Sequence, residues 1–532
     1  MRIGFVALAL WLCGAWLHAQ DFSKMHGAGL TDKQGPGYHP PDKFREADFH
    51  FLRENGFNFV RLPIAYQFWT RDDDPALIDE VKVREIDEAV EWGRKYGLHV
   101  CLGFYSVPGY SIAEPNRQPS LWTDEKLQAG FVGYWRFFAE RYKSVGPELL
   151  SFNLLNEPAY EVTEEQYAAV MRQAISAIRE IDPRRPIVVD GLQVGRLPVM
   201  SLLGENVVQA LHFYEPLNFT HAGANLIDGV QQRKGPGQWP IPRITRYLFG
   251  PESEQGENDT DDRLKQSMAT ASPARGYEPL PLLVYGPFDV GVKLRLRIDN
   301  VTARRENPLR VVMLADRKMV AEQAYRATSP DNGDLSVTQD IGVDFSGVIP
   351  AGTRVVTIRV VAGMGLVWSQ LGVSPQDRPD ERVIAPDEVQ WPTQAAVLRY
   401  ETDGTLTAHA YYDRQWIWEQ TAAKWRSFVE QGGRVMVQEF GCYKETPHLA
   451  MLKYLQDCTA VWNGQGWGWA IWELRGPMGI LDNQRQDMVV SGTAGEAEAG
   501  NTKEPGQAVE NPGDSTVDQA LLAVLKAAAQ DQ

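Results

Sequence analysis

The chain has 532 residues, 43% of them hydrophobic and 23% charged, the balance of a globular protein with more length than one ordinary domain. Its formal charge of −16 excludes nucleic acid and anionic membrane as expected partners, since both demand a basic surface, and favours neutral ligands. The histidines show no paired zinc-type spacing, and neither a Gly-rich phosphate loop nor a Gly-x-Ser-x-Gly elbow occurs, so no metal or cofactor is expected.

In chain order, Met1 to Ala19 has Arg2, an apolar core from Ile3 to Leu17 and Ala19 before a polar stretch. This fits a secretory signal peptide over residues 1–20, with the mature chain starting near Gln20 or Asp21 and an extracellular or periplasmic location. An uncleaved anchor, which wants about 20 apolar residues, ranks second, and bulky Leu12 argues against lipidation of Cys13. The mature part keeps Cys101, Cys442 and Cys458, an odd number, so at least one thiol is free or pairs between chains. Cys442 and Cys458 could bridge, or all could be buried thiols.

Met25 to Leu30 reads as a short strand, Pro41 to Asn55 as a helix stopped by Gly56, and Phe57 to Ile64 (FNFVRLPI) as a second strand with Arg61 near its end. The 3.6-residue periodicity of Val81 to Tyr96 predicts a helix ending at Gly97, before a strand from His99 to Phe104. The alternation continues with a helix at Asp124 to Ser144 and an apolar strand in Ser151 to Pro158 (SFNLLNEP). A helix capped by Thr163 runs to Ile181, then strands follow at Pro186 to Asp190 and Val207 to Tyr214. With Arg434 to Glu439 and Gly468 to Glu473 the strands number eight. Strands alternating with helices predict a parallel sheet with helical cover, and eight predict an α/β fold, a closed (β/α)8 TIM barrel, which takes about 250 residues.

The surplus length falls between strands six and seven. Residues 217–276 read as a loop region with an acidic piece at Pro251 to Asp262. From 277 to 400, short alternating runs such as Val292 to Ile298 and Arg354 to Val361 predict an inserted all-β sandwich, with the barrel comprising 21–216 and 411–532. An insertion after strand six is expected at the barrel's catalytic end. Trp368 or Trp391 could give it a sugar-binding platform, and a structural role competes with that reading. Ser491 to Ser515 reads as an exposed loop and Val517 to Ala529 as a closing helix.

A carboxylate at the tip of a buried strand is costly, and the chain has two, Glu157 and Glu439, one pair being the minimum equipment for cleaving a glycosidic bond. Residues at the C-terminal ends of barrel strands converge on one pocket, and those ends supply Arg61, Asn156, Glu157, His212, Tyr214, Glu439 and Trp472. The stretches GFNFVRLPIAYQFWT, LLSFNLLNEP, LHFYEPLNFTHAGA, VMVQEFG and GWAIWELRGPMGILD together resemble glycoside hydrolase family 5, the cellulase-like retaining glycosidases; the sandwich and the Ser491 to Ser515 loop lie outside the resemblance.

The resemblance implies that Glu157 is the acid and base and Glu439 the nucleophile. It further implies that Arg61 keeps Glu439 anionic, with Tyr214 as a second partner of that carboxylate, that Asn156 holds the sugar 2-hydroxyl, that His212 tunes the acid and that Trp472 floors the sugar. The family usually places a His where this chain has Tyr105, and His99 sits at the wrong end of the strand to replace it, so an altered sugar preference is expected. Trp69, Tyr110, Trp122 and Trp239 are either outer sugar subsites or loop packing. The expectation is a secreted retaining β-glycosidase, endoglucanase-like, acting on a glucan or related polysaccharide. The alternatives are a glycan-binding protein that does not cleave and, more remotely, an adhesion or scaffold protein built around the sandwich.

Overall fold

The computed structural model describes residues 21–35, 42–72, 74–224, 238–250, 281–304, 308–326, 336–377, 381–386, 395–488 and 515–531. The expected signal peptide, the acidic piece at 251–262, Trp391 and nearly all of the 491–515 loop lie outside them. Two compact units emerge: one from Met1–Tyr214, Trp418–Lys444 and Leu455–Gln532, the other from Glu215–Ile417 and Glu445–Tyr454. No helix among the described residues is long and apolar enough to cross a membrane.

The first unit is built on eight strands: β1 (His26–Gly29), β2 (Phe59–Ala65), β3 (His99–Val107), β4 (Leu150–Asn153), β5 (Ile187–Asp190), β6 (Val208–Phe213), β7 (Arg434–Phe440) and β8 (Gly468–Ile471). Each pairs in parallel with its neighbours in sequence, β1 pairs with β8, and β2 with β3, so the sheet closes into a TIM barrel. Parallel strands covered on both faces are buried throughout, which is why they read as near-continuous apolar runs. At Gly27 a Cβ would lie 1.7 Å from the Phe59 carbonyl oxygen, so only glycine allows β1 to approach β2 this closely.

The helices between strands begin and end where the sequence signals them. Asp79 accepts from the Val81 and Lys82 amides to start Glu80–Tyr96, and Gly97 ends it at φ +65°; Thr163 and Gln166 form a reciprocal capping box on Glu164–Ile181, satisfying amides that a helix start leaves unpaired. The helix Glu125–Tyr142 buries Phe131, Tyr134, Trp135 and Phe138, and Trp135 stacks on Phe104 of β3 with ring centroids 3.9 Å apart.

Two irregularities in the sheet decide what faces the barrel's interior. Between β6 and β7 the pairing passes from Leu211↔Val437 to His212↔Glu439, leaving Gln438 as an extra residue. Between β2 and β3 it passes from Ile64↔Phe104 to Ala65↔Ser106, leaving Tyr105 extra. Such bulges re-aim side chains.

Among the described residues the second unit carries two large sheets, one ordered Lys318–Tyr325, Leu309–Ala315, Val355–Ala362, Leu282–Tyr285, Ala396–Tyr400, Leu406–Ala408, the other formed by Ser336–Ile349, Val292–Arg304, Gly365–Pro375 and Arg382–Ile384, with Tyr247–Phe249 added to Gly365–Pro375, and a small pair of Ile241–Pro242 with Tyr411–Tyr412. Leu294, Leu296 and Ile298 from one sheet share an apolar core with Val311, Met313 and Ile358 from the other, as a sandwich requires. Trp368 is fully buried in that core, so it is not a sugar platform. The pairing slips between Arg297 and Ile298, where Ile298 lies opposite Trp368 and Ser369 becomes the extra residue, and this keeps Trp368 inward together with Leu371 and Val373.

Candidate active site

The eight side chains singled out in the sequence meet at the C-terminal ends of the barrel strands. Arg61, 1% exposed, is the hub. Its Nη1 lies 2.5 Å from Glu439 Oε1, and its Nη2 donates to Asn156 Oδ1 at 2.7 Å and to Asn153 Oδ1 at 3.2 Å. The Tyr214 hydroxyl donates to the other Glu439 oxygen at 3.1 Å. Glu439 therefore receives one donor on each oxygen, the pattern that favours the charged carboxylate.

Glu157 follows β4 in the left-handed region, φ +43°, where a residue with a side chain is held only if its surroundings over-determine it. They do. The Glu157 amide donates to Asp190 Oδ2 at 2.9 Å, and the Tyr110 hydroxyl donates to the Glu157 carbonyl at 2.5 Å while accepting from the Ala159 amide at 2.8 Å. The side chain keeps one edge open, 15% exposed, with Oε1 2.9 Å from His212 Nδ1.

His212 sits between the two carboxylates, its Nδ1 also 3.4 Å from Glu439 Oε2. Glu157, His212 and Glu439 each present an atom within 4.8 Å of the others. The same three are the one group among the described residues able to hold a metal ion, but the Arg61 guanidinium already neutralises Glu439, which makes the place poor for a cation.

Burial pushes the Glu439 carboxyl up to about 7, Glu157 and Asp190 adding to the effect against the pull of His212 and Arg61. Burial also works against a charged His212, yet Glu439, Asp190 and Glu157 outweigh it and raise the imidazole above its ordinary value.

Trp472, at the end of β8, lies under Arg61, whose guanidinium carbon is 5.9 Å from its ring centroid. Tyr105 tilts toward the same indole at 6.2 Å. Its bulged position aims it inward, and its hydroxyl is held protonated first by burial and then by Glu157 and Glu439. Among the described residues that hydroxyl has no hydrogen-bond partner. Asn156, its carbonyl taken by Arg61, leaves its buried amide nitrogen unpartnered.

Other expectations need correction. Trp69, Tyr110, Trp122 and Trp239 are all buried, Trp69 stacking on Phe104 at 4.4 Å, so they are packing residues and not outer subsites. Cys101, Cys442 and Cys458 are buried free thiols, and no bridge joins the last two. His99 stays at the start of β3, between the Glu148 carbonyl and the Ser151 hydroxyl. The sequence reading passed over Asp190 and Asn153. Asp190 carried the same signal as Glu157 and Glu439, a carboxylate closing an apolar strand (IVVD), and is fully buried.

Residues 25–272 match the family model described as cellulase (glycosyl hydrolase family 5). Over those residues the chain is similar to glycoside hydrolase family 5. Among relatives, endoglucanase C of Acetivibrio thermocellus is 32% identical over 236 residues, which are 42% of this chain and 64% of that protein. Cellodextrinase A of Ruminococcus flavefaciens is 30% identical over 195 residues, 34% of this chain and 57% of that protein. The match thus spans less than two thirds of either relative. A crystal structure of a glycoside hydrolase aligns with 95% of this chain and 99% of its own at a TM-score of 0.54 and 21% identity, a likeness of fold.

Proposed function

We propose that the protein is a secreted retaining glycoside hydrolase that cleaves β-glycosidic bonds of a glucan or related polysaccharide. The observation that carries this reading is the approach of Glu157 and Glu439, whose facing oxygens lie within 4.8 Å. Retaining enzymes hold their carboxyl groups about 5–5.5 Å apart, whereas inverting ones need about 6.5–9.5 Å to admit a water. The names of endoglucanase C and cellodextrinase A support a β-glucan as substrate.

In this reading Glu439 attacks the anomeric carbon while Glu157 passes its proton to the leaving oxygen. Glu157 then takes a proton from the water that releases the sugar. The donors on Glu439 are Arg61 and Tyr214, which hold that carboxylate as the charged partner and leave the shared proton to the Glu157 side. The free amide of Asn156 points its hydrogens at the sugar 2-hydroxyl, a contact that strengthens in the transition state. Trp472 supplies an apolar floor beneath the ring.

The test is hydrolysis of a β-glucan and β-mannan panel by wild type, Glu157→Gln and Glu439→Gln, with the anomer of the first product followed by NMR. Each variant is expected to lose about 10²- to 10⁴-fold in kcat with the fold intact, and the wild type to release the retained anomer. Full activity in either variant, an inverted product, or glycan binding by the wild type with no turnover would each defeat the proposal.

A further inference from the structure

Asp190 belongs to none of the roles above, yet it touches both partners of the proton-transfer side. Its Oδ2 accepts the Glu157 amide at 2.9 Å and lies 3.4 Å from His212 Nε2, while its Oδ1 accepts from Asn153 at 2.8 Å. The Nε2 contact is an ion-pair distance without hydrogen-bond alignment, and that buried nitrogen has no other partner among the described residues. The turn leaving Asp190 is itself strained: Gln193, Val194 and Gly195 lie at φ +52°, +57° and +83°. It braces Pro158, the residue after Glu157, and His212. The Val194 amide donates to the Pro158 carbonyl at 2.8 Å, and a Cβ on Gly195 would come within 2.7 Å of the His212 Cβ.

We infer that Asp190 is a positioning residue whose negative charge keeps His212 an imidazolium and so holds a proton on the Glu157 side of the site, in a chain Glu157–His212–Asp190. The groups facing His212 are Glu157 after β4, Asp190 on β5 and Glu439 on β7, with Arg61 of β2 bound to Glu439. Arg61 and His212 carry two positive charges against three negative on Glu157, Asp190 and Glu439. One further proton neutralises the cluster. Glu439 has two donors and Asp190 has the Asn153 amide and the Glu157 amide, so the proton falls to Glu157, the group that must deliver it. Without the Asp190 charge the cluster is neutral with both glutamates ionised, and the acid is lost at lower pH.

The kinetic test rests on the proposed hydrolysis: pH profiles of kcat for wild type and Asp190→Asn, a change that keeps shape and an acceptor but removes the charge. The alkaline limb is expected to move toward acid by about one pH unit, tenfold in proton affinity. A uniform loss of rate with both limbs in place would mean that Asp190 only supports the loop, and would overturn the inference. A second arm needs neither folding of the variant nor turnover: in wild-type protein labelled with ¹⁵N-histidine, both ring nitrogens of His212 are expected to carry protons at pH 6. A neutral imidazole there overturns the inference even in an active enzyme, and a protein with no activity on any glycan would defeat the proposed hydrolysis while leaving this arm decisive.

Discussion

Tyr105 stands where the resemblance leads one to expect a histidine, and its geometry says what this side chain can do. The bulge in β3 turns it toward Trp472, and its hydroxyl, unengaged among the described residues, feels the charge of both glutamates. A neutral hydrogen bond to a sugar contributes about 0.5–1.5 kcal/mol. Tyr105→Phe is therefore expected to lower kcat/KM by about three- to tenfold, and Tyr105→His to change the ratio of kcat/KM between gluco- and manno-configured substrates by a similar factor. Steady-state kinetics on matched aryl glycosides checks both, and an unchanged ratio with unchanged kcat/KM removes Tyr105 from sugar contact. At this scale the sequence was legible where a residue's chemistry is unusual for its place, as with Arg61, Glu157 and Glu439 beside apolar runs. Asp190 carried the same strand-end signal, but its role was hidden, because that lies in contacts with the Glu157 amide 33 residues before it in the chain and with the His212 ring, which no local pattern encodes. The aromatic loop residues misled for the opposite reason: Trp69 and Trp122 look like platforms until their burial is known.

At the scale of elements, the barrel helices were readable because caps and periodicity agree. The capping box on Glu164–Ile181 is the clearest case, and Thr163→Ala is expected to cost about 1 kcal/mol, read as a lower denaturant midpoint with kcat unchanged; a midpoint equal to that of wild type would show that the cap is idle. Between Asp413 and Gln431, where the apolar spacing runs on without interruption, the chain forms two helices, Arg414–Gln420 and Ala422–Glu430, broken at Thr421, whose φ −114° and ψ −86° are non-helical. Periodicity could not show that break, since the apolar spacing runs through it. Bulges were equally hidden, because a strand's alternation looks the same until its partner's register is known. That is how Trp368 passed for a surface residue when the slip opposite Ile298 turns it inward.

Across the whole molecule, burial depresses a histidine in each of the two units. Burial lowers His99 of the barrel unit and His221 of the second unit to about 4. A histidine whose folded value lies below its unfolded one contributes stability that is complete above about pH 6.5 and is lost as pH falls toward 4. At roughly 1.36 kcal/mol per pH unit each is worth on the order of 3 kcal/mol. Asp32, raised by burial to about 6, acts in the other sense, losing stability as pH rises from 3.8 toward 6, and His212, raised above its ordinary value, likewise loses stability as pH rises. His99→Gln removes one of the two lowered histidines and should make the urea midpoint fall less steeply between about pH 6.5 and 4.5. An unaltered slope would place the acid sensitivity elsewhere. The bulge in β7 has a consequence for descent. Gln438 and Glu439 stand side by side where a regular strand has room for one, and both reach into the barrel, Gln438 toward Cys101 and Glu439 toward Arg61. A gene that dropped the Glu439 codon would straighten the strand and seat the neighbouring amide opposite His212, but would leave the buried Arg61 guanidinium without its carboxylate, so the bulge and the arginine are tied together in descent.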